Sequence, residues 1–266
     1  MRNRNILFIV LLMWMVAGCT NKQKSLEQSI KNIEQSDSAT TTGGIDALNT
    51  LYLEYALEFP DAPKSSQYLH MAAMHAFLKK EFNASKDLSV QYIQRYPKGI
   101  ELAPTFLNLG RIYIYGKDKP DSAIYYFKKA EEIRALTLTD LNELATAMDK
   151  KAALLQSSAS ADTYFEAANL FQKTGASVSA IQCLSKGVAQ APNHPKAAGA
   201  LQTMGFIFEN ELSQKDSAVF YYNRLIREYP ETGAAQQAKY LVKNSLVGKS
   251  AEEILEFGLK NKGKEK

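Results

Sequence analysis

One stretch of this chain occurs twice. Residues 97–130, PKGIELAPTFLNLGRIYIYGKDKPDSAIYYFKKA, and residues 192–225, PNHPKAAGALQTMGFIFENELSQKDSAVFYYNRL, align without a gap at a spacing of 95. Pro97 falls on Pro192, Gly110 on Gly205, and DSAIYYF on DSAVFYY. A duplicated segment must bury the same faces twice, so this match constrains the fold more than composition does. A third stretch, TYFEAANLFQKTGASVSAIQCLSKGVAQAP (163–192), has the same internal order. From Ile45 onward apolar residues recur at helical spacing, with glycine or proline at helix-length intervals and no sustained strand alternation. The expected class is all-α, an α-solenoid of helix-turn-helix repeats; a plain helical bundle does not call for the gapless match.

The order within each stretch is a bulky residue, an apolar-small pair, an aromatic, a small residue opening the second helix, another aromatic, and a closing proline. At 163–192 these slots hold Tyr164, Ala167, Ala168, Phe171, Ala180, Leu184, Gly187 and Pro192. In the unit at 103 they hold Phe106, Leu109, Gly110, Tyr113, Ala123, Phe127 and Ala130, with one residue inserted between the helices. At 198 they hold Leu201, Met204, Gly205, Phe208, Ala218, Tyr222, Leu225 and Pro230, with the same insertion. This grammar resembles the tetratricopeptide repeat. Small residues let paired helices approach, aromatics fill the gap between repeats, and proline ends the second helix.

Around these units lie weaker ones. Residues 65–97 put Ala73 in the glycine slot and Ser85 in the small slot, and 46–60 reads as the second half of a still earlier unit. The array therefore spans 45–249, with an extra helix at 139–156 that lacks the repeat signature. Beyond it, 250–266 reads as a capping helix opened by Ser250 and Glu253, then a basic tail.

The N-terminal run LFIVLLMWMVAGCT carries a different message. Its apolar core, Ile6 to Val16, follows Arg2 and Arg4 and is too short for a membrane span, which needs about 20 residues. Val16-Ala17-Gly18-Cys19 resembles a bacterial lipobox, which implies a signal peptide over 1–18 and a lipid thioether on Cys19. Thr20 follows that cysteine, not the aspartate that retains such lipoproteins in the inner membrane. The resemblance implies the outer membrane, periplasmic side, with the cell surface as the alternative. Residues 19–44, rich in Ser, Thr and Gly over Ser36–Gly44, read as a flexible polar tether. Within it Leu26, Ile30 and Ile33 sit at i, i+4 and i+7, enough for a short amphipathic helix that docks on the body or lies against lipid.

Catalytic chemistry finds no foothold. A net charge of +4 over 266 residues is no nucleic-acid footprint. With Cys19 lipidated, Cys183 is a lone thiol, read as a small core residue. His70 and His75 are five apart, off the metal-ligand spacing of one helical face, and His194 sits in a turn. No phosphate loop or nucleophile elbow occurs, so no enzyme, cofactor or metal is expected.

What remains is a surface. In tetratricopeptide arrays the first helices line a groove, and the resemblance places Gln67, His70, Met74, Leu107, Arg111, Phe165, Asn169, Lys173, Gln202, Phe206 and Asn210 there. The mix of aromatic, amide and cationic groups suits a protein or peptide partner. The carboxylate clamp of certain cytosolic co-chaperones wants lysine where Phe165 stands, which excludes that partner class. The layout of lipobox, tether and repeats is similar to the tetratricopeptide lipoproteins of outer-membrane β-barrel assembly. It implies a non-enzymatic scaffold in envelope assembly; the alternative is a peptidoglycan- or division-associated adaptor, or an accessory lipoprotein of a surface system.

Overall fold

The computed structural model describes residues 21–155 and 157–262; Cys19, the lipobox and the last residues of the basic tail lie outside them. The chain divides into two compact units, Met1–Ala135 and Leu136–Lys266. Every regular element among the described residues is helical, as the α-solenoid class requires.

The first unit begins with α1 (21–34), which packs antiparallel to α2 (Thr42–Glu58). Leu26 and Ile30 are buried with Leu48, Tyr52 and Tyr55. Fully burying an aliphatic side chain of this size is worth about 1.5–3 kcal/mol. The tyrosine hydroxyls of Tyr52 and Tyr55 donate to Glu34 (2.7 Å) and Glu27 (2.6 Å). The flexible tether expected over 19–44 is thereby corrected from residue 21 onward. Its apolar triplet meets α2, and the helix so formed supplies the missing first half of the earliest pair. Even the glycine-rich segment is built. Thr41 caps α2 by accepting from the Gly44 N–H, and a Cβ on Gly44 would lie 1.9 Å from the Ser38 carbonyl oxygen. Gly44 serves close approach there, not looseness.

Two further pairs follow: α3 (Ser65–Leu78) with α4 (Phe82–Arg95), and α5 (Leu102–Arg111) with α6 (Pro120–Glu131). In the first of these, buried Ser85 donates to the Ala73 carbonyl (2.7 Å), so the two small slots touch. Buried Asn108 then joins α5 to α4 by donating to Ser85 (3.0 Å) and Ser89 (3.1 Å).

The second unit opens with α7 (Leu138–Leu154), the expected extra helix, which packs on α8 (Ser157–Lys173). Thr137 and Asp140 form its capping box. α8 pairs with α9 (Ser177–Gln190), and α10 (Ala197–Phe206) with α11 (Lys215–Glu228). α12 (Gly233–Lys243) lies against α10 and α11. The terminal α13 (Ala251–Lys262) is capped as expected: Ser250 Oγ accepts from the Glu253 N–H and Glu253 accepts from the Ser250 N–H.

Prolines 60, 97, 192 and 230 stand just beyond α2, α4, α9 and α11. The ring before a proline also links successive pairs: Tyr96 OH donates to the Pro60 carbonyl and Tyr229 OH to the Pro192 carbonyl. No proline follows α6, and there the pairing gives way to the extra helix α7.

Candidate functional site

The site sits on α10. Leu201, Met204 and Gly205 face the core, the glycine because the Tyr222 ring fills the space its Cβ would take, 2.4 Å away. That choice of inward face turns Gln202, Phe206 and Asn210 outward together, at i, i+4 and i+8. Across from them α12 presents Gln237 and Leu241, again four apart. Between these helices and the start of α13 lies a cleft of about 500 Å³. Ligand pockets typically fall between about 300 and 1,000 Å³.

The lining carries one carboxylate, Glu209, and one ammonium, Lys249, each already engaged. Glu209 is held twice, accepting from Tyr222 OH (2.7 Å) and the Gly248 N–H (2.6 Å). Burial, then that bond to Glu209, pushes the Tyr222 hydroxyl pKa well above its ordinary value. Lys249 is paired with Glu253 at 2.8 Å. What faces the space is amide and apolar. Gln202 donates to Gln237 across the cleft (2.9 Å), and Gln172 reaches in from α8. Phe206, Leu241 and Ile254 supply apolar surface, and Phe206 is 52% exposed although large. An amide carries both a donor and an acceptor, as a peptide main chain does. The cleft can hydrogen-bond a backbone and bury one apolar side chain beside it.

Of the sequence-derived groove residues, Gln202, Phe206 and Asn210 are brought together here. Asn169 and Lys173 are exposed on α8. In the first unit Gln67 is exposed on α3, while Met74 and Arg111 are half-buried. His70 is held by Thr105 (Nδ1 to Oγ1, 2.9 Å), and burial lowers its pKa. Two assignments need correction. Leu107 is 2% exposed and Phe165 3% exposed, so neither offers a groove surface. Leu107 lies on α5, which packs against both α3 and α4. Phe165 packs on α9: its ring occupies the space a Cβ on Gly187 would need, 2.6 Å away, and its centroid lies 5.3 Å from that of the His194 ring. The aromatic knob in that pair comes from the first helix and the glycine from the second, the reverse of Gly205 and Tyr222.

Sequence reasoning missed Gln172, Gln237, Leu241 and Ile254. The signal for two of them was available: α12 follows the closing Pro230 as another first helix, so extending the repeat register one helix further exposes Gln237 and Leu241. Among the described residues, no three His, Cys, Asp or Glu side chains gather as a metal site.

Residues 200–232 match the tetratricopeptide repeat family. Over those residues the chain is similar to a single tetratricopeptide repeat. The matched stretch runs from Ala200 on α10 through α11 to Thr232, the cap of α12, so it is the repeat that bears the cleft. Among solved structures the chain is similar to YrrB, a tetratricopeptide protein described as having an unusual peptide-binding site. The identity is 14%, over 82% of this chain and 100% of that one, with a TM-score of 0.38. It is similar to the TPR2AB domain of yeast Sti1 in complex with pHSP90, at 13% identity over 82% and 86% of the two chains, TM-score 0.41. A third is TTC0263, a thermophilic tetratricopeptide protein of Thermus thermophilus, at 13% identity over 83% and 98%, TM-score 0.34. No curated protein matches the chain.

Proposed function

We propose that this tetratricopeptide chain is a non-catalytic scaffold that binds a protein partner through the cleft between α10 and α12. The observation that carries the reading is the exposed Phe206 set among the amides of Gln172, Gln202 and Gln237. Such an arrangement takes a short peptide segment. The amides bond its main chain, and Phe206 with Leu241 covers one apolar side chain. The second part of the proposal rests on sequence alone. Lipid on Cys19 holds the scaffold at the bacterial outer membrane, facing the periplasm, where the partner belongs to envelope assembly. Several acyl chains give stable anchoring, since each buried methylene contributes about 0.8 kcal/mol.

Panning a displayed peptide library on residues 20–266 tests the first part. Recovered peptides are expected to share an apolar residue and to lose at least about tenfold in affinity against Phe206→Asp, a change equivalent to about 1.4 kcal/mol. Peptides that bind the variant as well as the wild type would move the site elsewhere. For the second part, Cys19→Ser is expected to abolish lipid labelling and release the chain from membranes. Labelling that persists rejects the anchor.

A further inference from the structure

The wall of the cleft formed by α13 is attached differently from the others. The chain before it is fixed: Leu246 and Val247 are buried, and the Gly248 N–H is bound by Glu209. Gly248 then takes φ +78°, a left-handed conformation that glycine adopts without strain. Beyond this pivot the helix is locally self-sufficient. It has its own capping box at Ser250 and Glu253, and i, i+4 pairs Lys249–Glu253 and Lys260–Glu256. Its approach to the body is narrow. Ile254 lines the cleft and Phe257 meets the Tyr240 ring edge-on at 6.4 Å. Leu255 and Leu259, on another face of the same helix, are 65% and 63% exposed. A firm anchor, a permissive glycine and a lightly held helix beside a cleft make a hinge.

We propose that α13 is a displaceable lid: it swings about Gly248, and its Ile254–Phe257 face competes with the partner segment for the cleft. This rests on the reading of the cleft as a peptide site. A segment that replaces α13 must bring an apolar side chain to the position of Ile254. The lid is tethered, so it acts at an effective concentration far above that of a free peptide, and it keeps weak ligands out.

The probe is a labelled synthetic peptide, AEEILEFGLKNK, with the sequence of residues 251–262. It is added to residues 20–266 in wild-type form and with Ile254→Asp and Phe257→Asp, which undock the lid in place. The undocked variant is expected to bind the peptide at least about tenfold more tightly than the wild type does. Adding Phe206→Asp is expected to remove that binding. Leu255→Asp with Leu259→Asp, on the exposed face, is expected to leave the chain like the wild type. Equal binding by wild type and undocked variant, or binding by neither, overturns the lid. If library peptides still depend on Phe206 in that case, the cleft stands and only the lid falls. Hydrogen exchange gives an independent reading. Amides of 251–262 are expected to exchange faster than those of α10, with α12 protected as α10 is; equal protection of α13 and α10 also overturns the hinge.

Discussion

In α5 and α6 the bare Cα of Gly110 lies against the Phe127 ring; 95 residues later, in α10 and α11, Gly205 lies against Tyr222. The likeness runs further. Each first helix ends in a π-helical turn, Ile112–Gly116 and Ile207–Glu211, which takes up the inserted residue. Each turn then passes through a left-handed residue, Asp118 (φ 48°) or Ser213 (φ 54°). Each pair stacks an aromatic of the turn on one of the second helix: Tyr113 on Tyr126 and Phe208 on Tyr221. The outward positions do not match. Buried Leu107 becomes Gln202, half-buried Arg111 becomes exposed Phe206, and buried Ile114 becomes Glu209, which holds Gly248. Packing is what the two pairs share; the cleft is what distinguishes the second. The functional reading therefore belongs to the positions where the duplicate departs from its copy.

The shared packing is the easiest part to break. Gly205→Leu drives a side chain into the Tyr222 ring and Gly110→Leu into that of Phe127. A Cβ would stand 2.4 Å from the first and 2.9 Å from the second. Overpacking of this kind costs about 1–3 kcal/mol, so both melts are expected to fall, with Gly205→Leu the lower. Thermal denaturation measures it, and a variant that melts like the wild type would mean the pairs are not packed as described.

The difference between the pairs is tested by exchanging it. Phe206→Arg gives the second pair the first pair's residue, and Arg111→Phe does the reverse. Phe206→Arg is expected to cost a cleft-binding peptide about tenfold in affinity, or about 1.4 kcal/mol, with the melt little changed. Arg111→Phe is expected to create no new binding, because Leu107, at the position of Gln202, is buried and offers no amide. Peptide binding gained by Arg111→Phe would show that the first pair needs only an aromatic to become a site.

How far the sequence reveals this depends on what a residue touches. Gly110, Gly205, Phe127 and Tyr222 are legible because their contacts lie within one repeat, at fixed intervals that recur. Ser250 and Glu253 are legible for the same local reason. α1 is half legible: Leu26, Ile30 and Ile33 mark a helix, but its bed on α2 is a contact between segments that no spacing encodes. Phe165 is misread because the repeat grammar allows the knob to come from either helix, and only the position of Gly187 decides. Ile254 is invisible in the sequence, since it reaches the cleft by a turn at Gly248. Local periodicity determines the helices; the site depends on which helices meet.

Acid is expected to weaken the first unit more gently. Burial lowers the pKa of both His70 and His75, which lie on α3, below the ordinary 6.5. The folded chain therefore binds these protons less readily than the unfolded chain. Their contribution is complete above pH 6.5 and is lost as the pH falls from there toward the depressed folded values. His75 faces a Coulombic pull from Asp46 and His70 from Glu101, and in each case desolvation is the larger effect. The melting temperature is expected to drop between pH 7.5 and 5.5, and to drop less in a His70→Gln, His75→Gln chain. An identical drop in that variant would move the acid sensitivity away from α3.

The smallest effect sharpens the comparison most closely. Asp118 and Ser213 both hold positive φ, where a side chain costs roughly 1 kcal/mol that glycine avoids. At the corresponding bend after α8 the chain already has glycine, Gly175 at φ +74°. Asp118→Gly and Ser213→Gly are each expected to gain stability. Part of the gain is lost to the greater freedom of glycine in the unfolded chain, so about 0.5 kcal/mol should remain. The turns have the same geometry: Lys119 N–H reaches the Tyr113 carbonyl at 2.8 Å, and Gln214 N–H reaches that of Phe208 at 2.7 Å. The backbone part of the gain is therefore expected to be equal at the two sites, and a loss is expected for Gly175→Ala. Denaturant midpoints at constant slope measure all three. A gain at Ser213 with a loss at Asp118 would mean that the aspartate makes a contact the serine does not, and that the two turns, alike in backbone, differ in what holds them.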